Sequence, residues 1–185
     1  FFFVAFAKHP VGCVLCVKGF CSAFLRVIRV HPRPISLGRY NRRMSQFLFH
    51  HPIEVRYGDL DPQGHLNNAK FVTFFEQGRI HYIKHLGLFK EGQSFMDIGV
   101  ILADVHIAYK KPVEWGTPVK VGVRTLKVGN KSMTVEQTVV HAETEELYAI
   151  GEVVMVAYDY HAGKSIPIPQ EWREKVVEFE NLLIS

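Results

Sequence analysis

Residues 57–79 read YGDLDPQGHLNNAKFVTFFEQGR. An alternating stretch ends at Tyr57, turn formers crowd the span from Asp59 to Asn68, and an aromatic run begins at Phe71. Upstream, FLFHHPIEVRYGD places Ile53, Val55 and Tyr57 against polar neighbours, the two-residue period of a half-buried strand. Asp59, Asp61, Pro62 and Gly64 then break the pattern. From Asn68 to Leu86 the spacing predicts a helix, because Phe71, Val72, Phe75, Arg79, Tyr82, Ile83 and Leu86 recur at three- and four-residue steps. Gly87 suits its C-terminal end. Phe74 and Ile80 widen the apolar stripe around much of the girth, so other structure is expected to wrap this helix. Gly78 in its interior costs about 1 kcal/mol relative to Ala. A second backbone packed close against it would account for the glycine.

Working outward, a loop near KEGQSF leads to four strand-like segments: GVILADVHIAY, PVKVGVRTLKV, SMTVEQTVVHA and LYAIGEVVMVAYD. Each is rich in Val, Ile, Thr and Tyr, and the separators carry Gly, Pro or charge. QEWREKVVEFENLL predicts a short amphipathic helix at the end. One strand, one long helix, four strands and a short helix define an α+β domain, most simply an antiparallel sheet wrapped around the long helix. Residues 44–185 are expected to form that domain, with 1–43 an N-terminal extension.

The 185 residues carry a net charge of +4, but the charge is unevenly spread. Residues 1–43 hold eight Lys/Arg and no Asp or Glu, which leaves 14 basic against 18 acidic side chains in the remainder. A mildly acidic body excludes an electrostatic case for nucleic acid binding. Cys13, Cys16 and Cys21 all lie in the extension, so the body has neither a disulfide framework nor a thiol nucleophile. Charged residues cut the apolar N-terminus short of the roughly 18 residues that span a bilayer, and no integral membrane segment is expected. An acid-free leader containing Arg is compatible with organellar import. Translated upstream sequence or a poorly ordered tail accounts for it better, since Met44 is the first methionine. A cytoplasmic protein is then expected.

The segments RYGDLDPQGHLNNAKFVTFFEQGR, YKKPVEWGTPVKV and VGNKSM resemble the 4-hydroxybenzoyl-CoA thioesterase-like branch of the hotdog superfamily, over about residues 50–180. The resemblance implies a single hotdog domain, a five-stranded antiparallel sheet around one helix. It implies hydrolysis of acyl-CoA thioesters without metal or other cofactor, in a homodimer or homotetramer with active sites at subunit interfaces. The family's catalytic aspartate falls on Asp61, its turn glycine on Gly64, and the amide that holds the thioester oxygen on Asn68. Lys131, with Ser132 beside it, matches a loop where basic side chains meet CoA phosphates. HLNN (65–68) replaces the family's aromatic acyl-pocket residues, which points to medium or long aliphatic acyl groups.

The chemistry accounts for the crowding between Asp59 and Asn68. A thioester carbonyl gathers negative charge as it is attacked, and a helix N-terminus offers unpaired N–H donors and a partial positive charge to hold it. Asp61 supplies a carboxylate, as nucleophile or as general base toward water. Pro62 fixes one φ, Gly64 permits the turn, and Asn67 caps the helix, leaving the next amides free. Asn67 and His65 are expected to line the substrate site. Asp59 reads as a turn residue bonded to backbone, and D-L-D lacks the third oxygen ligand a divalent cation would require. Glu76 and Arg79 are expected to pair along the helix, although some hotdog enzymes take their acid from the helix, which makes Glu76 the alternative acid. His81 and His85 have a metal spacing without the Glu of H-E-x-x-H, and read as a solvated face. Lys110 and Lys111 read as a solvated loop. Two rival functions remain: a non-catalytic acyl-CoA sensor, and a hotdog dehydratase, whose different motif DPQGHLNN does not supply. An acyl carrier protein is an open alternative to CoA as the thiol.

Overall fold

A computed structural model of the chain describes residues 47–89, 92, 94, 96 and 99–182. The expected extension 1–43, with its three cysteines, lies outside the described residues, as does part of the loop at 90–98. Five strands pair antiparallel in the order β1-β3-β4-β5-β2: β1 (Phe49–Ile53), β2 (Gly99–Tyr109), β3 (Val119–Val128), β4 (Ser132–His141) and β5 (Leu147–Asp159). A two-residue β6 (Lys164–Ser165) adds to β5 beyond the expected five. The long helix α1 (Asn68–His85) lies on the sheet, and α2 (Gln170–Glu180) closes the chain. This is the hotdog arrangement.

Alternation places one face of each central strand against the helix. Val121, Val123, Val135, Val139 and Val153 are fully buried, and they share one core with Phe71, Phe74, Phe75 and Tyr82 of α1. Gly78 faces β3, where a Cβ would stand 2.5 Å from Val121 Cγ1 and 3.2 Å from Val123 Cγ2. The neighbour is close, as expected, but it is a side chain rather than backbone. On the opposite face of the sheet, Arg124 and Glu136 form a buried ion pair at 2.6 Å, with the guanidinium over the Phe47 ring.

Two expectations for α1 need correction. Val72 and Ile80 are 38% and 43% exposed, because the sheet covers one side of the helix and leaves the other open. Arg79 does not pair with Glu76. It turns inward, is 7% exposed, and donates from Nη1 to Gln137 Oε1 at 2.8 Å, while Gln137 Nε2 donates to the Phe75 carbonyl at 2.7 Å. Helical spacing alone favoured the surface pair; the buried Gln137 on β4 offers a partner that no local pattern reveals.

The short helix α2 is anchored by buried Trp172 and Val176 and by one carboxylate. Glu180 Oε1 accepts from Tyr82 OH at 2.5 Å and from the Thr125 N–H at 2.8 Å, tying α2 to both α1 and β3. Burial pushes the Glu180 pKa up, and burial together with the adjacent Glu180 charge pushes the Tyr82 pKa up as well. Among the described residues no helix is long and apolar enough to cross a membrane.

Candidate active site

The segment between β1 and α1 is built by hydrogen bonds that stack three short pieces of chain. Tyr57–Asp59 forms one 3-10 turn. The Asp61 N–H donates to the His65 carbonyl at 2.8 Å, the Gly64 N–H returns to the Asp61 carbonyl at 3.0 Å, and Gly64 takes φ +81° to close the loop. That backbone region favours glycine because a Cβ would crowd it. The Leu66 N–H then donates to the Val113 carbonyl, and the Asn67 N–H to the Asp59 carbonyl. The loop is thereby pinned to the chain that follows β2.

Asp59 is the buried anchor of this assembly, 2% exposed. It accepts from the Arg56 N–H and Nε at 3.1 Å each and pairs with Lys70 Nζ at 3.1 Å. Burial works against its charge, but hydrogen bonds from Arg56 and Lys70 outweigh it and hold the carboxyl below its ordinary range. It is thus held by two cations as well as by backbone. The sequence reading lacked Lys70, which the first turn of α1 brings across.

Asp61 is half-buried and divides its two oxygens. Oδ1 accepts from the N–H groups of Gln63 at 2.9 Å and His65 at 3.2 Å, an Asx turn. The Gln63 carboxamide, with its NH2 turned to the aspartate, also reaches Oδ1 at 3.1 Å and Oδ2 at 3.3 Å. At the helix start, Asn67 caps as expected: its Oδ1 accepts from the Ala69 N–H at 2.9 Å. Asn68 Oδ1 shares that donor at 3.0 Å, and the Lys70 N–H goes to the Asn67 carbonyl. The Asn68 N–H is left without an acceptor among the described residues.

Asp61 and Asn68 line one cavity of about 330 Å³, together with Leu66, Phe71, Tyr109, Lys110, Lys111 and Pro112. Four of these come from the end of β2 and the residues after it. Tyr109 OH donates to the Asn68 carbonyl at 3.1 Å and its ring meets Phe71 edge-on. Lys111 pairs with Glu146, whereas Lys110 extends into solvent. The expected solvated loop is therefore a wall of the cavity. The YKKP segment already stood out in the sequence, but it takes the Leu66–Val113 and Tyr109–Asn68 hydrogen bonds to bring it to the helix start.

His65 contributes its backbone to the Asp61 turn; the cavity lining passes instead through Leu66. Glu76 is exposed and lines a different cavity, eight residues or about 12 Å along α1 from Asn68. Lys131 and Ser132 stand at the far end of β3, since Ile53 pairs with Val119 at its start and Val128 with Met133 at its finish. Nine residue steps along this ten-residue strand separate its ends by about 30 Å. There Lys131 Nζ donates to the Ser165 carbonyl at 3.1 Å. His81 stacks on His51 with ring centroids 3.6 Å apart, while His85 packs between Phe49 and Phe179, so these exposed rings lie against the protein. Among the described residues no three His, Cys, Asp or Glu side chains converge as a metal site.

An aspartate and a helix-start residue with a free amide thus line one cavity on a hotdog scaffold. The profile of the thioesterase-like superfamily matches residues 55–176, and the chain belongs to that family. Among its relatives, it is 29% identical to the uncharacterized protein YsmA of Bacillus subtilis over 72% of this chain and 88% of that one. It is 23% identical to the long-chain acyl-CoA thioesterase FadM of Escherichia coli, over 67% and 93% of the two chains. Among solved structures, a Thermus thermophilus thioesterase complexed with coenzyme A and Zn is similar at 32% identity, covering 72% of this chain and 95% of that one with a TM-score of 0.62.

Proposed function

We propose that this protein hydrolyses acyl-CoA thioesters, with Asp61 as the acid group and the Asn68 amide as oxyanion donor. The observation that carries the reading is one cavity lined by both Asp61 and Asn68, the latter with an N–H that has no acceptor among the described residues. In the reaction the thioester oxygen sits against the Asn68 amide, where the helix dipole adds to the hydrogen bond. Asp61 either adds to the carbonyl carbon, expelling CoA thiolate and leaving an anhydride for water to cleave, or takes a proton from the attacking water. Its Oδ1 is held by the turn amides, so Oδ2 is the oxygen more available for either role. Lys110, at the cavity wall, supplies a cation for the CoA phosphates. Leu66 and Phe71 provide apolar lining suited to an aliphatic chain, a substrate class shared with the long-chain enzyme FadM.

A second copy of the chain belongs to this reading. Strand β2 has β5 as its only neighbour in the described sheet, and Leu102, Val105 and Tyr109 are exposed along it. A long edge of this kind invites pairing with another strand. Lys131 and Ser132, too far from Asp61 in their own chain, would meet CoA only at a site on another copy.

The test is hydrolysis of acyl-CoAs of graded length by wild type and by Asp61→Asn. Loss of a positioned general base or nucleophile lowers kcat by about a hundred- to ten-thousandfold, while acyl-CoA still binds. Unchanged turnover in Asp61→Asn removes Asp61 from the chemistry, and binding without turnover in wild type makes the protein a sensor.

A further inference from the structure

A second cavity, of about 300 Å³, opens between the later half of α1 and the β2–β5 side of the sheet. Its lining is mostly aliphatic, with Ile80 of α1, Leu102 of β2 and Met155 of β5 prominent, and Tyr160 at one side. Two charged residues interrupt it, Glu76 and Arg79. Arg79 is the unusual one. A buried guanidinium has lost most of its water, and such a charge is retained where hydrogen bonds or counter-charge compensate. Here the described residues give it one side-chain acceptor, the neutral Gln137 amide, and no carboxylate within ion-pair distance. Five N–H donors fan from a guanidinium, so most are uncommitted. Burial lowers the Arg79 pKa from its ordinary value, and the nearby charge that opposes this is Glu76, one turn earlier.

We propose that this cavity is a recognition site for a hydroxyl group carried toward the far end of an aliphatic acyl chain. An apolar cleft with a few fixed polar groups is the usual form of a small-molecule site. A hydroxyl both accepts and donates, so it accepts from Arg79 and donates to Glu76 on the same helix face. A carboxylate satisfies Arg79 but is repelled by Glu76, and a plain methyl terminus leaves Arg79 as unpaired as before. Arg79 lies eleven residues beyond Asn68, about 16 Å along the helix axis, a span suited to a long chain whose thioester rests against the Asn68 amide. The inference rests on the thioesterase reading and adds to it a substrate class.

The experiment compares kcat/KM for palmitoyl-CoA, its ω-hydroxy counterpart and its ω-carboxy counterpart, in wild type, Arg79→Met and Ile80→Trp. Wild type is expected to favour the ω-hydroxy substrate by about ten- to a hundredfold, the range of a hydrogen bond to a charged group. Arg79→Met should bring that ratio to about one. If Arg79→Met does not fold, Ile80→Trp, at an exposed helix position, plugs the cavity and should erase the same ratio. Equal rates on all three substrates in wild type, or a preference that survives both variants, overturn the proposal. Should no thioester be cleaved, the thioesterase reading has failed. Calorimetry with the methyl ester of the ω-hydroxy acid, which carries no carboxylate, then decides the cavity alone. Binding that weakens in Arg79→Met or Ile80→Trp upholds it, and absence of binding by wild type overturns it.

Discussion

Replacing Gly78 by alanine sets two effects of known size against each other. Helix propensity favours alanine in a helix interior by about 1 kcal/mol. Against that, the new Cβ would stand 2.5 Å from Val121 Cγ1 and 3.2 Å from both Val121 Cβ and Val123 Cγ2. Carbon atoms prefer about 3.5–4.0 Å, so the closest contact must open by about 1 Å. Val121 is fully buried and β-branched, hence stiff at χ1. Helix α1 must therefore lift from β3, and overpacking of this kind costs about 1–3 kcal/mol. With three crowded atoms the upper half of that range applies, and the propensity gain offsets only part of it. The expected net loss is about 1–2 kcal/mol, read as a lower urea midpoint in equilibrium unfolding. Trimming the obstacle in the double variant Gly78→Ala/Val121→Ala should recover about 1 kcal/mol or more of coupling energy in a double-mutant cycle. A Gly78→Ala protein as stable as wild type, or more stable, refutes the packing argument. So does a cycle with no coupling.

Other perturbations separate the charged groups. Glu180 has its folded pKa raised by burial, so its contribution to stability is fully present below its unfolded pKa and is lost as pH rises through the folded value. Glu180→Gln keeps an oxygen for Thr125 and Tyr82, and should raise Tm at neutral pH and remove that loss. Asp59 has the opposite sign: its folded pKa is depressed, so its stabilisation is present at neutral pH and disappears as pH falls through the folded value. Asp59→Asn should lower Tm at pH 7 and flatten the acid limb of a Tm-versus-pH profile. Asn67→Ala removes the helix cap at Ala69 and should cost about 1 kcal/mol in urea unfolding. A loss no larger than a few tenths would mean that Asn68 Oδ1, which shares the donor, suffices.

Local periodicity made most of the scaffold legible. The segments GVILADVHIAY and LYAIGEVVMVAYD coincide with β2 and β5, and the helix begins at Asn68 as its cap and turn residues predict. These are properties of neighbouring residues, and a short window contains them. Partnerships between distant segments were not legible. Arg79 finds Gln137, 58 positions away, and Lys111 finds Glu146, 35 positions away and just before β5. Neither follows from a helical or strand period, so a surface pair and a solvated loop were the natural expectations. The YKKP wall and the placement of Lys131 share one topological cause. Strand β3 starts beside the Asp61 turn and runs away from it, which leaves the chain just before β3 at the site and the hairpin after it at the opposite end.

The same topology bears on how Asp61 can be tested without ambiguity, because its two oxygens are held differently. Oδ1 holds the Gln63 and His65 amides and so shapes the turn that leads to the helix cap. An asparagine retains a side-chain carbonyl for those amides and loses the ionised oxygen that chemistry requires. An alanine loses both, leaves two N–H groups seeking water, and leaves the loop to its backbone hydrogen bonds, Asp61–His65, Gly64–Asp61, Leu66–Val113 and Asn67–Asp59. A purely structural Asp61 therefore predicts that Asp61→Asn is active and Asp61→Ala is not. A chemical Asp61 predicts that Asp61→Asn is folded, binds acyl-CoA and fails to turn over. The carboxylate's geometry is compatible with both roles at once. It is the contrast between these two variants, rather than either alone, that separates a chemical Asp61 from a structural one.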